Sequence, residues 1–157
     1  MDRAEKGEAY FRQGYNCAQA VVLAFEDLIG SDRDTLLKVS APFGGGIGRM
    51  HEVCGAVSGA MMVLGMLFYD PGKASGRENM VLYAREQAVA AGFKERNGSL
   101  ICRELLSGAG GAGKRPCRLL VSDAVRLVED YLREEGSIDP DEPASGAADG
   151  SEEGEGT

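Results

Sequence analysis

Four cysteines, Cys17, Cys54, Cys102 and Cys117, are the residues of this 157-residue chain best suited to chemistry. Each falls within the first turn or so of a segment with helical periodicity, on or beside its apolar face. A helix N-terminus carries about half a positive charge and unpaired N–H donors, which stabilise a thiolate and lower a cysteine's pKa. Four such thiols directed inward would make a redox centre. Free cysteine is also ordinary core filler, but four with the same placement favour function. The intervals of 37, 48 and 15 residues contain no C-x-x-C pair and match no familiar ferredoxin or zinc pattern. Two redox chemistries stay open. In one, a thiolate attacks a disulfide or peroxide and a second cysteine resolves the intermediate, with Cys102 and Cys117 the expected neighbours. In the other, all four thiolates ligate an iron–sulfur or other metal centre that carries electrons. A third reading is a non-enzymatic adaptor with structural cysteines.

Other residues surround these thiols. His51, the only histidine, stands three residues before Cys54, one helical turn away if a helix has begun there, and could take or give a thiol proton. The run Phe43-Gly44-Gly45-Gly46-Ile47-Gly48-Arg49 reads as a collar whose N–H groups could form an anion-binding nest, or as a plain connection. Gly55 and Gly59 lie four apart on one helical face, so a second helix or a prosthetic group can come close to that backbone. Gly costs about 1 kcal/mol relative to Ala inside a helix, and close approach is a compensating reason. One apparent motif is rejected: Gly108 to Lys114 fits G-x-x-x-x-G-K, but Arg115 stands where a phosphate loop needs Ser or Thr, and Pro116 removes an N–H.

The elements that must position these groups read as helices throughout. No run of alternating apolar and polar residues is present, and the expectation is an all-α bundle of about six or seven helices. The spacing predicts helices over 2–12, 16–29 with Asn16 as N-cap, a short segment through Leu36 and Val39 stopped by Pro42, 50–69, 77–91 ended by Gly92, a short LICRELL helix after Ser99, and a last helix opened by Pro116. The segment VCGAVSGAMMVLGMLFY, residues 53–69, is uncharged yet too short and glycine-rich for a membrane span, and reads as a buried helix. Residues 1–135 form the expected single four-cysteine domain, and 136–157 an acidic, disordered tail.

Charge narrows the partners. Of the net charge of −8, the segment 136–157 holds seven acidic residues and no Lys or Arg, which leaves 17 basic against 18 acidic groups in the body. With no basic stripe, nucleic acid is not an expected partner. The first residues, MDRAEKGEAYFRQG, lack the apolar run of a secretion signal, so a cytoplasmic location with reduced thiols is expected. The electron partner is not legible, and a homodimer stays open.

The order Asn16-Cys17-Ala18, Phe43-Gly44-Gly45-Gly46, Cys54-Gly55-Ala56-Val57-Ser58-Gly59, Cys102 and Pro116-Cys117 resembles the C_GCAxxG_C_C family of redox-active proteins over about residues 7–132. The resemblance implies a small prokaryotic protein whose four characteristic cysteines are the four here. Some members carry selenocysteine, which points to chalcogen chemistry. The resemblance gives a redox direction and no mechanism, so whether the chain is an enzyme stays open here, with a thiol-dependent oxidoreductase as the enzymatic reading.

Overall fold

A computed structural model describes residues 1–139. Eight α-helices occur among them: α1 (Arg3–Arg12), α2 (Cys17–Leu23), α3 (Glu26–Ile29), α4 (Arg33–Ser40), α5 (Gly55–Phe68), α6 (Gly76–Asn97), α7 (Cys102–Ser107) and α8 (Cys117–Glu134). No strand is present among the described residues, only a single antiparallel bridge between Val53 and Ile101. The all-α expectation therefore holds. No helix of the described residues is long and apolar enough to cross a membrane.

Local chemistry starts the helices where they start. Asp2 and Glu5 form a reciprocal capping box on α1, and Asn16 and Gln19 form another on α2, so that Cys17 becomes the first helical residue. Asp32 caps α4 and Ser75 caps α6 through side-chain oxygens. α2 is nearly all buried and sits at the centre, with α1, α4, α5 and α8 around it. α8 turns Leu120, Val121, Ala124, Val125, Val128 and Leu132 inward, each at most 2% exposed. A Val or Leu buried so completely is worth about 1.5 to 3 kcal/mol.

Four boundaries differ from the sequence expectation, each for a local reason. The helix expected over 16–29 splits into α2 and α3. Arg3, itself 3% exposed, donates from Nη1 to the Ala24 carbonyl at 2.8 Å, and Leu28 N–H turns to Phe25 O instead. The helix expected from Met50 begins at Gly55, because residues 45–51 form a left-handed turn. The helix expected to end at Gly92 continues to Asn97, since Phe93 and Asn97 beyond it are 1% exposed, and Gly98 makes the stop with φ 88°. The first residues expected as tail close α8 instead. Gly136 N–H donates to Arg133 O, Ser137 N–H donates to Leu132 O, and Ile138 packs on the core. From residue 140 on, the expected acidic tail lies outside the described residues.

α2 and α5 pack through the glycines of α5. A Cβ placed on Gly59 would lie 2.8 Å from Ala18 O and 3.0 Å from Val21 Cβ, and backbone cannot yield as a flexible side chain can. Replacing Gly59 with Ala should cost about 1 to 2 kcal/mol, overpacking outweighing the gain in helix propensity. Gly65 on the same helix has nothing within 4 Å of such a Cβ, so Gly65→Ala should gain about 0.5 to 1 kcal/mol. Urea denaturation of the two variants reads the sign directly, and equal signs would refute the packing account. Arg3 also pairs with Asp27 at 2.6 Å and Glu129 at 3.3 Å. Arg3→Met should cost about 3 kcal/mol, near the lower end for breaking a buried pair, because Glu129 keeps Arg133 at 3.4 Å. An unchanged urea midpoint would contradict this.

Candidate functional site

All four cysteines stand at helix beginnings. Cys17, Cys102 and Cys117 are the first residues of α2, α7 and α8, and Cys54 is the N-cap of α5. Pro116 takes the N-cap of α8, one place earlier than its expected first helical position, and this sets Cys117 at the start. The four side chains line one cavity of about 240 Å³, closed by Phe11, Leu106 and Leu120 and edged by Asn16, Arg49 and His51. Cys17, Cys54 and Cys102 are buried and Cys117 is half-buried; all four are free thiols.

Two devices hold the wall. The Val53–Ile101 bridge lets Cys54 N–H donate to Leu100 O at 2.8 Å and Cys102 N–H to Glu52 O at 2.6 Å, so these two cysteines ride on one backbone clamp. The second device is the turn at 45–51. Gly45, Gly46, Ile47, Gly48, Arg49 and His51 all have positive φ, which costs a non-glycine residue about 1 to 2 kcal/mol each. The strain is held by hydrogen bonds: the N–H groups of residues 47–52 all donate to carbonyls of residues 42–47. Gly46 is needed here because a Cβ would lie 2.7 Å from Cys102 Cβ and from Glu52 N.

These facts relocate several expected groups. The N–H groups of residues 47–52 are occupied within the turn, so of the anion nest that the glycine run suggested only the N–H groups before Ile47 could take part. His51 lies before α5, not on its first turn, and its Nδ1 is 3.6 Å from Cys102 Sγ, so its thiol partner is Cys102 instead of Cys54. A Cβ on Gly55 would collide with Cys17 Sγ, which makes Gly55 the floor of the cavity. Gly44 backs onto Asn16, Gly45 onto Arg49, and Gly59 onto α2. Of the expected glycines, then, only Gly45 and Gly55 line the cavity, and Gly59 serves helix packing. Arg49, Asn16, Phe11 and Leu106 complete the wall; of these, sequence reasoning singled out only Asn16, as a cap. The glycine loop at 108–113 follows α7 and returns to it, Arg115 N–H donating to Leu105 O, and no strand precedes it.

Burial governs the thiols more than the helix ends do. Desolvation pushes Cys54 up to about 12; the Ala56 and Val57 N–H groups facing its sulfur pull down by less, without a full capping hydrogen bond. Burial also raises Cys102, the charge of a Cys117 or Cys17 thiolate raises it further, and Arg103 opposes them. Cys117 is raised by burial and then by Cys17. The expectation that helix N-termini would depress these values is thus corrected: taking a thiolate out of water costs more than the partial charges return. The mutual effects also show that the sulfurs sense one another, with Cys17 acting on each of the other three.

As placed, the described side chains form no ready-made site for a single metal ion. Among the described residues, no group of three or more His, Cys, Asp or Glu side chains converges closely enough to hold one.

Comparison with known proteins agrees with this four-cysteine architecture. No curated protein and no solved structure matches the chain. Residues 15–131, which run from just before Cys17 to the last turns of α8, match the family described as Putative redox-active protein (C_GCAxxG_C_C). With all four cysteines inside that match, the chain belongs to the C_GCAxxG_C_C family.

Proposed function

We propose that the pocket performs thiol–disulfide redox chemistry, with Cys102 and Cys117 as the working pair. The observation that carries this reading is the shared cavity, in which a cysteine with a histidine nitrogen 3.6 Å from its sulfur meets three further thiols. His51 accepts the Cys102 proton at Nδ1, and the resulting thiolate attacks a substrate disulfide, R–S–S–R′. One sulfur of the substrate leaves as R–S⁻ and takes a proton. The Cys117 thiol, losing its own proton, then displaces the second as R′–SH. The balance is two protein thiols oxidised to one disulfide and one substrate disulfide reduced to two thiols. Cys102 senses both Cys117 and Cys17, and Cys117 senses Cys17, so Cys17 is the sulfur that would take the place of either partner.

Charge favours this over the alternative. The dithiol and the disulfide are both neutral, so the couple moves two electrons and two protons without leaving charge in a desolvated cavity. An iron–sulfur cluster is the second reading, favoured by the complement of four cysteines on one wall, since each could bind a different iron. It requires four thiolates together in a place that already resists one.

Three results are expected. Anaerobically purified protein should be colourless, and oxidation by a small disulfide should remove two hydrogens and leave a Cys102–Cys117 bridge by peptide mapping; stoichiometric iron with acid-labile sulfide would replace the proposal with the cluster. Cys102→Ser should abolish the single reduction of a small disulfide by the pre-reduced protein, and His51→Gln should lower its rate by about 100-fold at neutral pH, with the deficit shrinking as hydroxide ionises Cys102 directly; a pH-independent deficit would remove His51 from proton transfer. For Cys54, the raised folded value means that the unfolded chain loses its proton first. Stability should therefore fall as pH climbs from about 8.5, the ordinary thiol value, toward about 12, by at most about 1.4 kcal/mol per pH unit. Chemical denaturation at stepped pH should give a shallower fall for Cys54→Ala, and parallel slopes would refute the burial effect.

A further inference from the structure

We propose that Arg49 is the specificity-determining residue of this pocket and that its substrate is a small disulfide carrying a carboxylate; the inference rests on the thiol–disulfide reading above. Arg49 lines the four-cysteine cavity from its rim. Its neighbours' charges are committed: Arg103 is held by Glu52 at 2.6 Å and Arg118 by Glu8 at 3.1 Å, next to Cys102 and Cys117 respectively. Arg49 makes no ion pair among the described residues, so its guanidinium is available to an anion.

The turn fixes its backbone at that place. Arg49 has φ 61°, which its hydrogen-bonded turn enforces, and its N–H donates to Gly44 O at 3.2 Å. Gly45 makes the room: a Cβ at that position would lie 2.8 Å from Arg49 Cγ. A planar, permanently charged fork at the edge of an apolar thiol cavity suits a carboxylate bidentately and leaves the sulfur end of the ligand to enter. The cavity of about 240 Å³ lies below the roughly 300 to 1,000 Å³ of drug-sized sites, which fits the sulfur end of a small molecule. The step itself is the exchange already written: the ligand's S–S bond breaks, one protein disulfide forms, and two carboxylated thiols leave.

The test compares two probes with the full chain, 5,5′-dithiobis(2-nitrobenzoate), which is anionic, and 2,2′-dithiodipyridine, which is neutral. With the protein reduced beforehand, Arg49→Gln should lower the second-order rate constant for the single reduction of the anionic probe by about 10-fold, the scale of electrostatic concentration of a charged ligand. It should lower the rate on the neutral probe far less, and Arg49→Lys should restore only part of the anionic rate, since an ammonium keeps the charge and lacks the fork. Added salt should slow the wild type on the anionic probe and not the Gln variant. Equal losses on both probes, or no loss on either, would overturn the role of Arg49. If wild-type protein reduces neither probe, or Cys102→Ser reduces both at the wild-type rate, the underlying thiol reading fails instead.

Discussion

The contact between α2 and α5 is what the rest of the molecule depends on. Gly55 and Gly59 remove the side chains that would keep these helices apart, so that Ala18 and Cys17 lie directly on the α5 backbone. Helix axes can approach this closely only where one surface lacks Cβ atoms. The consequence is chemical as well as mechanical. The beginnings of both helices arrive at the same level, which places Cys17 and Cys54 on one wall. The uncharged character of the first turns of α5 follows too, because Gly55, Ala56, Val57, Gly59 and Ala60 are buried and offer no place to solvate a charge, whereas Met66 farther along is exposed.

The remaining wall is built by a different kind of interaction. α7 has only six residues and no side-chain cap, too short to hold its own position by helix packing. Its location is given by backbone hydrogen bonds to residues 51 and 52: Cys102 N–H to Glu52 O, and Arg103 N–H to His51 O. The left-handed turn and the Val53–Ile101 bridge therefore act as one unit. That unit brings His51 to Cys102 across 51 positions of sequence, and strained φ values are the cost of the reversal in chain direction.

Much of this was legible in the sequence, and the failures have a common physical origin. Periodicity and caps marked the helices at Asn16 and the long apolar stripe of α8 because those signals act within a few residues. The split at Ala24 was not legible, since its cause is Arg3, 21 positions away, taking a carbonyl. Gly92 looked like a stop and is helical, because burial of Phe93 and Asn97 outweighs a local preference. The four cysteines could be named from their places at helix beginnings, yet the raised values of Cys54, Cys102 and Cys117 could not: helix ends are visible in sequence, whereas desolvation depends on the depth at which the finished fold leaves each sulfur.

That depth bears on what kind of redox centre the fold can sustain. A thiol pushed up to about 12 leaves about one molecule in 100,000 ionised at neutral pH. Cys54 is then a poor attacking group and suits a stable, protonated wall. Cys102 differs in two respects, with a histidine nitrogen near its sulfur and the Arg103 guanidinium opposing the effect of burial. Cys54 and Cys102 are thus unequal within one cavity, and for the proposed exchange the inequality is useful. Exchange needs one sulfur that can lose a proton locally and another that becomes nucleophilic only after the mixed intermediate has formed. Four equally acidic thiols would repel one another when ionised; unequal burial avoids this by keeping most of them neutral.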